Sequence, residues 1–485
     1  MDQPGRGLGR RAPAGLRTAL VPVWWGRNYG VVFAARVAMS VGRALAGVVA
    51  PIYLALEGFG AFELSLYVLV VAAASAVMST IIGLSSDRVG RRPYLIGVPL
   101  LTAGAAVGFA FTGAAPLLFV LGALGSFGRG AGAGAGAVGP YQPAEAAFVT
   151  ENITAEHRNA GFGRLTFGSS LGASVGSLLA LLVSSSNAHG AAATAAFRPA
   201  FLAIAATSAL AGLFAVWLSE PRRPPAKAAP PGKGRFRLPR KSRWLLYRLW
   251  ATNTLNGMAI GMFGPFVTYW LYRRFGAGAA EVGVLYAVIN AATMASSLSA
   301  AGLARRWGLV RTVGVVRTAQ AVLIVPMVLA PSFAFAGGIY FVRMIVQRIG
   351  LPLRQSYAIG LAHPDERASV TALSNVPSQL AMSVSPLLTG YLFEAVSLSL
   401  PFEVAALLQF ANATSFWALF RDHPPEEERA TAAAGRTAWA LVDGGTNAAD
   451  AAGAGGGGSV AAGSGRGYEP DREDGAPLER GAIED

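Results

Sequence analysis

The chain has 485 residues, of which 53% are hydrophobic and 14% charged, and its mean hydropathy is +0.45. A soluble globular domain carries roughly 25% charged residues, so the composition argues against one, and the lack of any cysteine excludes disulfides, thiol catalysis and cysteine-held metal. The net charge of +14 does not point to nucleic acid: residues 421–485 hold 13 acids against six arginines, residues 1–420 hold 34 basic against 13 acidic residues, and most of the basic ones fall in every second loop, as the orientation rule for membrane proteins requires.

In chain order, residues 1–28 form a basic segment (Arg6, Arg10, Arg11, Arg17, Arg27). The apolar run after it is of full helix length and lacks a cleavage-like end, so it reads as a first span with its amino end in the cytoplasm and not as a signal peptide. Stretches of about 20 apolar residues match the ~30 Å hydrocarbon core of a bilayer at 1.5 Å rise per residue. They predict spans at 29–56, 64–84, 94–113, 117–147, 161–184 and 199–218, then at 244–272, 282–303, 309–330, 333–358, 369–396 and 400–420. Between the two sets lies 219–243, rich in Pro, Gly and basic residues and holding all three lysines, which cannot enter hydrocarbon and reads as a cytoplasmic linker. The tail 421–485 carries a Gly-Ala run and excess acid and reads as disordered. The loops predicted to be external hold only Arg198, Arg273 and Arg274 as basic residues. The expectation is a multi-pass protein of the plasma (cytoplasmic) membrane with both termini cytoplasmic.

The two sets of spans read as copies, one bundle over 29–218 and another over 244–420. Tyr53, Phe59 and Gly60 match Tyr269, Phe275 and Gly276 at one offset, Gly83 and Gly90 match Gly302 and Gly308, and Pro143 and Arg158 match Pro352 and Arg367, in the same order. Internal duplication of this kind is a transporter signature.

The second and third spans are joined by Gly83-Leu84-Ser85-Ser86-Asp87-Arg88-Val89-Gly90-Arg91-Arg92-Pro93. This loop resembles the signature loop of the major facilitator superfamily at nearly every defined position. The resemblance covers about residues 29–420 and implies an all-α membrane protein of 12 transmembrane helices in two pseudo-symmetric six-helix bundles. It also implies that Gly83, Asp87, Arg88, Gly90, Arg91 and Arg92 form a conformational latch that does not touch substrate, with Glu145, at the cytoplasmic end of the fourth span, facing the loop arginines. The second-half copy, 302–308, has lost the acid. Arg129, followed by alternating glycines, is similar to a fourth-span motif of the family with the glycine phase shifted. Gly163, Gly172 and Gly176 keep the spacing of the antiporter glycine series, while Ser177 and Ala180 break its end. The surviving small-residue stripe predicts close helix packing.

A charge within hydrocarbon costs at least ~2.5–3.5 kcal/mol on insertion scales, so one that remains is functional or paired. Arg43, Arg129 and Arg343 lie deep in the first, fourth and tenth spans, and Asn253 and Asn256 in the seventh are their polar complement. These five are the candidate substrate-binding residues. Arg36 lies near enough to the first span's end to snorkel. Of the acids before residue 421, all but Glu145 fall in loops or at span ends, and no lysine or histidine lies in a span. Arginine cannot shuttle protons, so the interior is cationic and largely untitratable. That pattern predicts an alternating-access carrier of a small anionic or zwitterionic solute, working by exchange or facilitation, with a proton-coupled multidrug exporter as the alternative. No nucleophile, cofactor motif or metal constellation is present in the sequence, so the chain does not read as an enzyme. The expected partners are a small-molecule substrate and the lipid bilayer, with no nucleic acid, and the protein is expected to be monomeric.

Overall fold

The computed structural model describes residues 25–421 apart from 128–138, 184–190, 221–240, 308 and parts of 362–372; at 87, 155, 159, 191, 193, 295–310 and 350–360 it describes the backbone alone. Every regular element among these is helical. In the first half these are α1 (Arg27–Leu56), α2 (Ala61–Val89), α3 (Arg92–Phe111), α4 (Ala115–Gly125), α5 (Gln142–Asn152), α6 (Arg158–Leu178, extended by a 3-10 turn over Leu179–Leu182) and α7 (Ala191–Val216). The second half contributes α8 (Arg243–Phe263), α9 (Val267–Phe275), α10 (Ala279–Trp307), α11 (Leu309–Val322), α12 (Ile324–Val328), α13 (Phe333–Leu361), α14 (Val376–Ala395) and α15 (Leu400–Phe420). Six of the described segments are long and apolar enough to cross a membrane, five in the first half and one over Arg311–Val328. Ala115–Gly125 and Ala279–Met294 are shorter apolar helices among the described residues.

The predicted spans differ from the helices mainly where the chain bends. In the fourth, α4 ends at Gly125 with Ser126 at φ +54°, and residues 128–138 lie outside the described residues. The seventh breaks at Gly264-Pro265-Phe266 into α8, a 3-10 turn and α9, because proline removes a helical donor and crowds the preceding turn.

Helix pairing repeats between the halves. α1 packs on α6 and α7, and α3 on α7; α8 packs on α14 and α15, and α11 on α15. Across the halves, α2 packs on α14 and α6 on α10. Glycines set the closest contacts. A Cβ at Gly172 of α6 would stand 2.6 Å from the Val37 carbonyl oxygen of α1, and one at Gly261 of α8 would stand 2.7 Å from the Met382 carbonyl oxygen of α14. Both pairs therefore meet backbone to backbone, which is what small residues permit in a bilayer.

The apolar core has three main parts. One cluster joins the two halves at the end remote from Arg27 and Phe420, bringing Leu45–Phe59 of α1 and its following turn together with Phe109, Phe201, Phe263–Leu271, Phe393 and Phe402. At the end of Arg27 and Phe420 each half has its own cluster: Tyr29, Met39, Leu95 and Phe148 in the first, Leu245, Leu249, Val313 and Phe416 in the second. At the remote end Glu394 of α14 accepts a hydrogen bond from the Phe62 amide of α2 at 2.8 Å, and a Cβ at Gly283 of α10 would stand 2.5 Å from the Ser177 carbonyl oxygen of α6. The halves thus share one core at that end and keep separate cores at the other.

Candidate functional site

The second half is polar inside. On α8, Asn253, Asn256 and Phe263 are buried, with Asn256 and Phe263 two turns apart on one face. Arg343 of α13 lies across that face: it is 4% exposed, its guanidinium stands 4.0 Å from the Phe263 ring centroid, and its Nε donates to the Gln320 carbonyl oxygen of α11 at 3.3 Å. No carboxylate pairs with Arg343 among the described residues. An aromatic face and a backbone carbonyl stabilise a desolvated guanidinium by cation–π attraction and a charge-assisted hydrogen bond, but neither neutralises it.

One turn along α11, Arg317 is 5% exposed, with its guanidinium 4.5 Å from the Phe416 ring centroid of α15. Its Nη1 donates to Asn412 Oδ1 at 2.8 Å, and Asn412 Nδ2 donates to Asn256 Oδ1 at 3.4 Å. Asn253 Nδ2 donates to the Ser374 carbonyl oxygen at 2.7 Å, leaving its Oδ1 buried without a partner. Two buried arginines, three asparagines and two aromatic faces from α8, α11, α13 and α15 therefore form one polar core.

The first half is arranged differently. Arg36 is 8% exposed and forms an ion pair with Glu145, itself 3% exposed, while its Nε donates to Ser169 Oγ at 2.7 Å. α1, α5 and α6 are thus joined by a charge that is internally balanced. This corrects two expectations. Arg36 does not snorkel, because a carboxylate stands where the side chain lies. Glu145 does not face the loop arginines; its first-turn position on α5 turns it inward, and the acid that pairs with Arg91 is Glu151, two turns on. Arg43, half-buried, lies with its guanidinium against Gly139, where a Cβ would come within 2.8 Å of Nη1; Gly139 has φ +93°, a conformation glycine tolerates. Arg129 lies outside the described residues.

The family profile described as the Major Facilitator Superfamily matches residues 32–345 and, overlapping, 249–449. The chain belongs to the Major Facilitator Superfamily. Among solved structures it is similar to a bacterial homologue of the human lysosomal transporter Spinster in an inward-facing, occupied conformation: 15% identity, TM-score 0.61, covering 81% of this chain and 96% of the other. It is also similar to the nucleoside transporter NupG, with 14% identity, TM-score 0.59 and coverage of 80% and 99%. The human organic anion transporter MFSD10 (TETRAN) matches with 15% identity, TM-score 0.56 and coverage of 81% and 100%. At these identities the likeness is one of fold. No curated protein matches the sequence. The chain is accordingly a multi-pass membrane transporter of the facilitator fold.

In this facilitator the signature loop docks on the first half and on the start of the segment that follows it. Gly90 ends α2 with φ +98°, and the Arg91 and Arg92 amides at the start of α3 both donate to Glu220 at 3.0 Å. A carboxylate there satisfies orphan donors and the positive end of the helix dipole. Arg92 Nη2 donates to the Val216 carbonyl oxygen at 2.6 Å, and Arg91 pairs with Glu151. Arg88 is exposed in the last turn of α2, Gly83 lies 3.9 Å from Pro143 through its notional Cβ, and the Asp87 side chain lies outside the described residues. Of the five predicted substrate residues, the structure buries Arg343 of α13 and Asn253 and Asn256 of α8 in the second half and leaves Arg43 in the first. Sequence reasoning passed over Arg317, Gln320 and Asn412. The signal for Arg317 was present, a charge eight residues inside the 309–330 span.

Proposed function

We propose that the chain is an alternating-access secondary transporter of a small organic solute, with an anionic or zwitterionic substrate bound in the second half and moved by exchange or facilitation. The observation that carries this reading is Arg343, a buried cation that among the described residues meets an aromatic face and a backbone carbonyl and no carboxylate. The first half balances its buried Arg36 with Glu145, so the uncompensated field of Arg343 falls on the side of α8 that carries Asn256. A carboxylate or phosphate group matches a guanidinium fork chemically, and carriers of this architecture bind between their halves near the bilayer midplane.

The bundles are assigned to 29–218 and 244–420, joined by the 219–243 linker, with both termini cytoplasmic as the basic loops require. With that orientation, the shared core lies on the external side and the separate cores on the cytoplasmic side, an inward-facing arrangement. The loop from Gly83 to Arg92 then docks on Glu151 of its own half and on Glu220 at the start of the linker in this state, and is free to engage the second half when the cytoplasmic side closes. A solved neighbour is an organic anion transporter, as its name says, which agrees with this reading.

The test is thermal stabilisation of the purified protein against panels of anionic, neutral and cationic metabolites, since a ligand that binds the folded state raises its melting temperature. Stabilisation confined to carboxylates, phosphates or zwitterions is the expected result. Stabilisation by lipophilic cations alone, with proton uptake on transport, would replace this reading with a proton-coupled multidrug exporter using Glu145.

A further inference from the structure

The chain of contacts Arg317–Asn412–Asn256 has a direction fixed by valence. A guanidinium has only donors, so the Asn412 atom that Arg317 meets at 2.8 Å is Oδ1. The other arm of that amide is then an NH2 group, and it lies 3.4 Å from the side chain of Asn256. An NH2 group needs an acceptor, so Asn256 turns its Oδ1 toward Asn412 and its own NH2 away. That NH2 makes no hydrogen bond among the described residues. Asn412 is fully buried, so neither amide reverses without breaking a bond in a medium where an unmade hydrogen bond is costly.

Asn253 has the opposite polarity. Its NH2 is taken by the Ser374 carbonyl oxygen at 2.7 Å, and its buried Oδ1 is unpartnered. Asn253 and Asn256 are three residues apart on α8, which separates them by about 4.5 Å along the axis and leaves them on neighbouring positions of one face. One turn of α8 thus offers an acceptor beside a donor.

We propose that Arg317 is a positioning residue which, through Asn412, holds the Asn256 amide with its NH2 toward the substrate path, and that the Asn253–Asn256 pair selects a solute with an anionic acceptor next to a hydroxyl or ammonium donor, the pattern of a hydroxy acid or an amino acid. This rests on the second half being the substrate site. Asn412→Asp makes the decisive variant. Aspartate still accepts from Arg317, so the fold is kept, but it also needs a donor from Asn256, whose amide must turn over and present Oδ1 to the path. Arg317→Lys keeps a donor at the head of the chain and with it the native direction.

Two readouts separate the proposal from the reading it rests on. The first needs no ligand: in protein labelled with 15N-asparagine, the side-chain NH2 signal of Asn256, assigned by its loss in Asn256→Asp, is expected to move in Asn412→Asp and in Arg317→Met and to stay near its wild-type position in Arg317→Lys. The second is thermal stabilisation by a matched three-carbon set: lactate and alanine, against propionate, which lacks the donor, and lactamide, which lacks the charge. Lactate or alanine is expected to stabilise wild type and Arg317→Lys, with half-saturation about tenfold higher in Asn412→Asp. An Asn256 signal that ignores Asn412→Asp, or equal half-saturation in that variant, overturns the relay. Stabilisation of wild type by propionate as strongly as by lactate overturns the donor–acceptor selection. Failure of every carboxylate to stabilise wild type counts against the substrate reading, while the amide signals still decide the relay.

Discussion

Gly172→Ala is the most exacting test of how the first half is packed. The new Cβ would stand 2.6 Å from the Val37 carbonyl oxygen and 3.1 Å from Ser40 Cβ, where ordinary contact begins at 3.4 Å. The first of these is backbone, so no side-chain rotation relieves it and α6 must retreat from α1 by about 0.8 Å. One turn away the same interface holds the 2.7 Å bond from Arg36 Nε to Ser169 Oγ, which a retreat of that size stretches to the edge of a hydrogen bond. Overpacking costs roughly 1–3 kcal/mol and a lost hydrogen bond to a charged group ~1.5–3 kcal/mol, so the expected loss is about 2–5 kcal/mol. Gly163, on the same helix, has open space around its notional Cβ, and Gly163→Ala should be neutral or stabilising by up to about 1 kcal/mol through helix propensity. Equilibrium unfolding in mixed micelles measures both. A neutral Gly172→Ala, or two variants equally damaging, would refute the backbone-contact argument.

Three further outcomes follow from the same geometry. Glu145→Gln leaves Arg36 buried without its counter-charge and should destabilise by about 3–5 kcal/mol, with Arg36→Met in the same chain recovering most of the loss; unfolding in mixed micelles reads both. Glu394→Ala removes the acceptor that ties α14 to the start of α2 and should favour opening at the remote end. Because the protein has no cysteine and Ser65 is fully buried beside Gly390, maleimide labelling of a single Ser65→Cys reports that opening, and labelling should be several-fold faster in the Glu394→Ala background. Glu220→Ala uncaps α3 and should cost about 1 kcal/mol, seen as a lower melting temperature with substrate affinity unchanged.

The fold was legible because bilayer-length apolar runs and a signature loop are local signals. Of the stripe Gly163, Gly172 and Gly176, the last two meet the α1 backbone at close range as their spacing foretold, whereas Gly163 stands in open space. Partner choice was not legible. Glu145 and Glu151 sit six residues apart on one short helix, and which of them meets the loop depends on how α5 is rotated, a tertiary fact. The polar core of the second half was half visible. Arg343 and the α8 asparagines stood out as isolated polar residues in apolar runs, but the relay through Asn412 depends on α11, α15 and α8 meeting at one level, which no spacing along the chain records.

The central claim is that an anionic group of the substrate completes the coordination of Arg343. The most direct measurement is the affinity of wild type, Arg343→Ala and Arg343→Lys, each shown to insert and fold, for whichever anion stabilises the wild-type protein. Removing a charged hydrogen-bond partner costs ~1.5–3 kcal/mol, so Arg343→Ala should bind roughly 10- to 150-fold more weakly, and Arg343→Lys should recover only part of the loss because the planar fork is gone. Unchanged affinity in both variants would contradict the account.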